Sequence, residues 1–68
     1  MQGIEKKLDK AYHGKSAQEL ADAPVDALSG LSAGDAELLA KAFNIKTVRD
    51  LGTNKFFLAA QAIAHLAD

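Results

Sequence analysis

The side chains that most often carry out chemistry are few in this 68-residue sequence, and they are not spaced for it. His13 and His65 are the two histidines and there is no cysteine, whereas a metal site needs three or four ligands within reach. The serines have no histidine placed to activate them as nucleophiles. We therefore expect a protein without enzymatic activity, without a metal and without a cofactor.

The charged residues are distributed unevenly, although the net charge is only −1. Residues 16–40 contain no lysine or arginine, and basic residues return only after them. A near-neutral chain has no general attraction to nucleic acid or to an acidic membrane surface. The best candidates for contacting nucleic acid are three cations that follow the acidic stretch, namely Lys46, Arg49 and Lys55.

The length predicts one domain that spans residues 1–68. No stretch approaches the roughly 20 apolar residues of a membrane span, and the first residues lack the apolar run of a signal peptide. A chain without cysteine fits a reducing compartment. We expect a cytoplasmic protein that does not contact a membrane.

The secondary-structure pattern predicts an all-α domain of about five short helices. β-branched residues are few and no run alternates with a period of two. Ile4, Leu8 and Tyr12 (or Ala11) recur at a spacing of about four, which predicts a helix within residues 1–15 that ends at Gly14. Residues 16–68 then form the helical core of the domain.

Start and stop signals divide the rest of the chain. A hydroxyl residue is followed three positions later by a carboxylate at three places, and each pair predicts a capped helix start. Pro24 suits the first turn of a short helix that stops near Gly30, and Asn44 suits a left-handed helix end. The three predicted caps are Ser16 with Glu19, Ser32 with Asp35, and Thr47 with Asp50.

The last helix, Lys55 to Ala67, is apolar around most of its circumference. Such a helix either lies at the centre of a bundle or is covered by a partner, and we expect the central position. A core shared by three consecutive helices is then predicted, formed by Leu39, Phe43, Ile45, Leu51 and Ile63.

Residues 24–63 resemble the helix-hairpin-helix family, in which two short helices are joined by a tight glycine turn. The similarity lies in Leu28, Gly30 and Leu31 at the turn, and in the later segment from Ile45 to Leu51. The segment is also similar to the C-terminal domain of the bacterial RNA polymerase alpha subunit. The resemblance implies a compact helix-hairpin-helix-like (SAM-like) core, a bacterial source, and a structural role for the turn residues Gly30, Ser32 and Asn44.

The same resemblance implies where a DNA-binding relative would hold a phosphate, and this sequence departs from that pattern. Ser32 replaces the second glycine of the turn and is expected to cap the next helix. The positions that carry an arginine and an asparagine in the polymerase domain are Gly34 and Glu37 here. Because a carboxylate repels phosphate, nucleic-acid binding is disfavoured.

The function that we expect from the sequence is therefore protein contact, either with a protein partner or with further copies of the chain. The expected contact residues lie on the last helix, where Phe56, Phe57 and Ala64 present large or closely packing apolar groups, or alternatively on the apolar stripe of the first helix. The alternative is weak nucleic-acid binding through the three cations named above.

Overall fold

The computed structural model describes residues 3–68, and within that range the chain is mostly helical and contains no β-strand. It confirms the all-α class, but the described residues contain four α-helices where about five short helices were expected. Three single turns of 3-10 helix, Glu5–Lys7, Lys10–Tyr12 and Val25–Ala27, accompany them. The α-helices are α1 (Ala17–Ala21), α2 (Ala33–Phe43), α3 (Val48–Gly52) and α4 (Lys55–Ala67).

The predicted N-terminal helix is wrong within the described residues. The backbone becomes extended at Leu8 and Asp9, between two 3-10 turns. Two backbone hydrogen bonds explain the break: the Asp9 N–H donates to Ala27 O (2.9 Å) and the Ser29 N–H donates to Lys7 O (2.8 Å). Pairing with residues 27–29 uses groups that a continuous helix would need, and it buries Leu8.

All three predicted caps are confirmed as reciprocal capping boxes. In the clearest case, the Glu19 N–H donates to Ser16 Oγ (3.1 Å) and the Ser16 N–H donates to Glu19 Oε1 (2.9 Å). The same exchange joins Ser32 to Asp35 and Thr47 to Asp50. Because each box satisfies two backbone N–H groups, these short helices have fixed starts.

The core is small and lies around the segment that precedes α2. The Val25 N–H donates to Lys46 O (3.0 Å) and the Val48 N–H donates to Ala23 O (3.0 Å), so two loops run side by side. Val25 and Ile45 are the largest side chains that are almost completely buried, each 1% exposed. Four more apolar residues complete the core: Leu8, Leu20, Ala23 and Ala27.

The predicted core is correct for Ile45 but wrong for Phe43 and Ile63. Phe43 is 46% exposed and Ile63 is 67% exposed, whereas Leu39 and Leu51 are half-buried. The reason is the position of α4, in which every residue from Lys55 to Asp68 is exposed. The last helix, which was expected to be central, therefore lies outside the core. As a result, α4 covers Phe43 only in part.

Candidate protein-contact surface

Three phenylalanines connect α4 to the rest of the domain. The Phe43 ring centroid lies 6.0 Å from that of Phe57, edge to face, and 6.2 Å from that of Phe56. Both partners belong to the first turn of α4, which starts where Asn54 Oδ1 accepts from the Phe56 and Phe57 N–H groups. The cluster therefore holds the N-terminal end of α4 and leaves the remainder of the helix to solvent.

The exposed part of α4 carries a stripe of apolar side chains at helical spacing. Phe56, Ala59, Ile63 and Leu66 follow one another at intervals of three, four and three residues, which places them on one face. We call these four residues the α4 stripe. Leu66 is 86% exposed. The polar residue Gln61 lies on the opposite face of the helix, as a spacing of 100° per residue requires.

The three contact residues predicted from the sequence all lie in α4 and are all exposed. Phe57 is the least exposed of its large apolar residues, at 38%, because it packs on Phe43. Ala64 follows Phe57 by seven residues and shares its face. Phe57 thus anchors the helix, whereas Phe56 begins the more exposed stripe.

An open apolar groove on α2 continues this surface. It is lined by Leu31, Leu38, Leu39, Ala42 and Phe43, together with Asp35. Leu38 is exposed, and Phe43 borders both the groove and α4. The Asp35 carboxylate is already bonded to the Ser32 N–H at 2.9 Å. The groove therefore offers apolar contact without a cluster of converging polar groups.

The turn before α2 is held by its own side chains. The Asp35 N–H donates to Ser32 Oγ (3.1 Å), and Asp35 returns a carboxylate oxygen to the Ser32 N–H. Two backbone donors that a phosphate would need are therefore occupied, and a negative charge lies beside them. The cap predicted for Ser32 is confirmed, as is the left-handed conformation of Asn44, with φ 57°.

Gly30 has a different role from the one that close helix crossing would give it. Its φ is +101°, a value that L-amino acids with side chains rarely adopt. A Cβ atom built at this position meets no atom within 4 Å. Close approach of two helices therefore does not explain this glycine, which is required by the backbone conformation of the turn.

Two of the three cations considered for nucleic acid contact other groups of the chain. Arg49 Nε donates to Asp22 Oδ1 at 3.2 Å, which forms an exposed ion pair. Lys55 Nζ lies 5.2 Å from the Phe56 ring centroid. The backbone N–H of Lys46, rather than its ammonium group, donates to Asp50 Oδ2 at 3.0 Å. The carboxylates of Asp22 and Asp50 therefore lie near Arg49 and Lys46, and they weaken the attraction that a phosphate would feel.

Two carboxylates have pKa values that the caps lower. Hydrogen bonds from the Ser16 backbone and hydroxyl groups lower the pKa of Glu19. Donors on the Lys46 and Thr47 backbone lower the pKa of Asp50, since both N–H groups stabilise its ionised form. These shifts belong to helix starts, so they give no reason to assign catalysis to either residue.

The histidines lie apart from any group of ligands. His13 Nε2 donates to Leu8 O at 3.2 Å, which ties the second 3-10 turn to the extended residue before it. Within residues 3–68, no three His, Asp or Glu side chains are placed to hold a metal ion together.

Among the same residues, none of the helices has the length and apolar character that crossing a membrane requires.

Sequence reasoning overlooked two members of the stripe and placed a third wrongly. Ala59 and Leu66 were not among the expected contact residues, and Ile63 was expected in the core. The signal that indicates them is the interval of three, four and three residues, which is typical of a helix that packs on another helix. The spacing specifies a covered face but not the chain that covers it.

Comparisons with protein-family models, with curated proteins and with solved structures found no match for this chain.

Proposed function

We propose that this chain is a non-enzymatic, helix-hairpin-helix-like module that works by protein contact, and that α4 is its contact element. One observation carries the proposal: a 13-residue helix, rich in large apolar side chains, is exposed along its whole length. Contiguous exposed apolar surface on a small protein marks a site of interaction. The α4 stripe supplies that surface.

The energetics of α4 support the same conclusion. A helix of fewer than about 12–15 residues is marginal in water when nothing packs against it. The first turn of α4 packs on Phe43, whereas Ile63 and Leu66 meet mainly solvent. Covering these side chains by a partner would stabilise the helix and remove apolar surface from water.

Protein contact is also better supported than nucleic-acid contact. The stripe is apolar and continues into the groove on α2, whereas Arg49 is already paired with Asp22. The proposal includes no catalytic step, because the α2 groove holds a single carboxylate that is already used by a cap.

The experiment is a capture assay with the full chain immobilised in three forms: wild type, Ile63→Lys and Gln61→Lys. Both variants add the same charge to α4 at positions two residues apart, but only Ile63 belongs to the stripe. Bound proteins are identified by mass spectrometry, and released copies of the chain itself are counted among them.

We expect at least one identified protein to be retained by the wild type and by Gln61→Lys but lost with Ile63→Lys. The three forms must give the same cooperative melt of the core for the comparison to hold. Identical retention on all three forms would contradict the proposal, as would retention only of nucleic acid.

A further inference from the structure

The chain exposes more surface than a compact monomer of its size. Its accessible surface is 5085 Å², whereas a folded protein of 7.2 kDa is expected to expose about 4100 Å². The radius of gyration is 12.6 Å, against about 11 Å for a domain of this length. The excess of about 1000 Å² is close to the ~800 Å² that each partner contributes to a standard protein interface.

The geometry points to a second copy of this chain as the occupant: we propose that two chains associate through their α4 helices, packed antiparallel about a two-fold axis. This inference rests on the proposed function, since it names the partner of the same surface. The two helices are aligned so that Phe56 faces Leu66 of the second copy and Ala59 faces Ile63 of the second copy. One layer therefore pairs two large apolar side chains, and the other pairs the small Ala59 with the larger Ile63.

The charges of α4 favour the antiparallel arrangement. Lys55 lies at the N-terminal end and Asp68 follows the C-terminal end, with no Asp, Glu, Lys or Arg between them. Antiparallel packing brings the lysine of each copy to the same end as the carbonyl groups and Asp68 of the other, where a cation is favourable. Parallel packing would place both lysines at one end and both aspartates at the other.

The stripe also has no charged residue that would select a charged partner. A different protein with a charged contact surface would bury those charges against Phe56, Ile63 and Leu66. Burying an unpaired charge is costly. A second copy of the same stripe brings no such charge. An isologous pair of this kind is the commonest way in which identical chains associate.

The α2 groove extends the proposed interface. Phe56 lies 6.2 Å from Phe43, ring centroid to ring centroid, and Phe43 borders the groove that contains Leu38. Since the antiparallel register places Leu66 of the second copy beside Phe56, the end of the second α4 would lie next to this groove. The interface would then cover two patches of exposed apolar surface instead of one.

The first test is sedimentation equilibrium of the full chain over about 1 µM to 1 mM, a range that spans weak to moderate affinities. We expect the wild type and Gln61→Lys to dimerise with similar dissociation constants. Ile63→Lys should weaken dimerisation at least about 100-fold, since each buried isoleucine contributes roughly tenfold or more and the dimer contains two. Leu66→Lys, at the most exposed stripe position, should act in the same direction.

The second test distinguishes the two orientations by disulfide trapping, which a chain without cysteine makes simple. Leu66→Cys chains should cross-link poorly with each other, because antiparallel packing separates the two sites by about 15 Å along the helix axis. A mixture of Leu66→Cys and Phe56→Cys chains should form the mixed disulfide. Efficient cross-linking of Leu66→Cys alone would overturn the antiparallel arrangement.

The outcomes separate this inference from the proposed function. A wild type that stays monomeric up to 1 mM, or a dimer that is unaffected by Ile63→Lys and Leu66→Lys, overturns self-association through α4. Capture of a different protein that depends on Ile63 would leave the proposed function standing in that case. Loss of both results would overturn both.

Discussion

At the scale of single residues, the structure separates two isoleucines that the sequence pattern treats alike. Ile45 is 1% exposed and packs in the core, whereas Ile63 projects from α4. The cost of removing an apolar side chain depends on the contacts that are lost, so equal chemistry gives unequal effects. Phe43 lies between these extremes, since it contacts two aromatic rings but remains half exposed.

The expected effect on stability follows this order. Ile45→Ala should cost about 2–5 kcal/mol, the usual range for a buried isoleucine, which is most of the stability that a chain of this size has. Phe43→Ala should cost less and should retain a cooperative melt. Urea denaturation monitored by circular dichroism measures both changes, and a larger loss for Phe43→Ala would show that Phe43 belongs to the core.

Acid should weaken the fold through the capping carboxylates. The folded protein lowers the pKa values of Asp50 and Glu19, so their contribution to stability is complete above the unfolded values and is lost as pH falls through the lower folded values. We expect the melting temperature to decrease once the pH is lower than about 4, which is near the ordinary carboxyl pKa values.

The variant Asp50→Asn tests this explanation, because asparagine keeps one acceptor oxygen and carries no titrating charge. Its melting temperature should be lower than that of the wild type at neutral pH and should change less in acid. An unchanged acid transition in Asp50→Asn would show that other carboxylates cause the loss of stability.

At the scale of elements, the sequence predicts helix starts well and the contents of the core poorly. The boxes at Ser16, Ser32 and Thr47 depend on neighbours three residues away, so local spacing specifies them. The break at Leu8 could not be predicted, because it depends on hydrogen bonds to residues 27–29. The position of α4 could not be predicted either, since hydrophobic spacing indicates a covered face whichever chain covers it.

The turn at Gly30 provides a prediction at this scale. Because the positive φ disfavours any L side chain and no atom crowds the position, Gly30→Ala should be destabilising by about 1–2 kcal/mol, and Gly30→Val by somewhat more because a β-branched residue tolerates positive φ least. Thermal melts of the two variants test the reason for the glycine. A harmless alanine together with an unfolded valine variant would indicate steric crowding instead.

At the scale of the whole molecule, the net charge of −1 gives no general attraction to nucleic acid. The cations beside α3 lie among carboxylates, and the capped turn before α2 holds Asp35 where a phosphate would bind. We expect no binding to duplex or single-stranded DNA with a dissociation constant below about 10⁻⁶ M at physiological salt. A salt-dependent fluorescence titration measures this, and tighter binding that Lys46→Glu abolishes would support the alternative function.

The central claim is that α4 lies outside the core and is stabilised by contact with another chain. Amide hydrogen exchange of the full chain, measured residue by residue at several protein concentrations, tests it most directly. In dilute monomeric protein, amides near Ile63 should exchange much faster than the core amides of Val25 and Val48, whose N–H groups are bonded to Lys46 O and Ala23 O. The protection of the α4 amides should rise with protein concentration or with an added partner. Core-like protection of the α4 amides in the dilute monomer would contradict the claim.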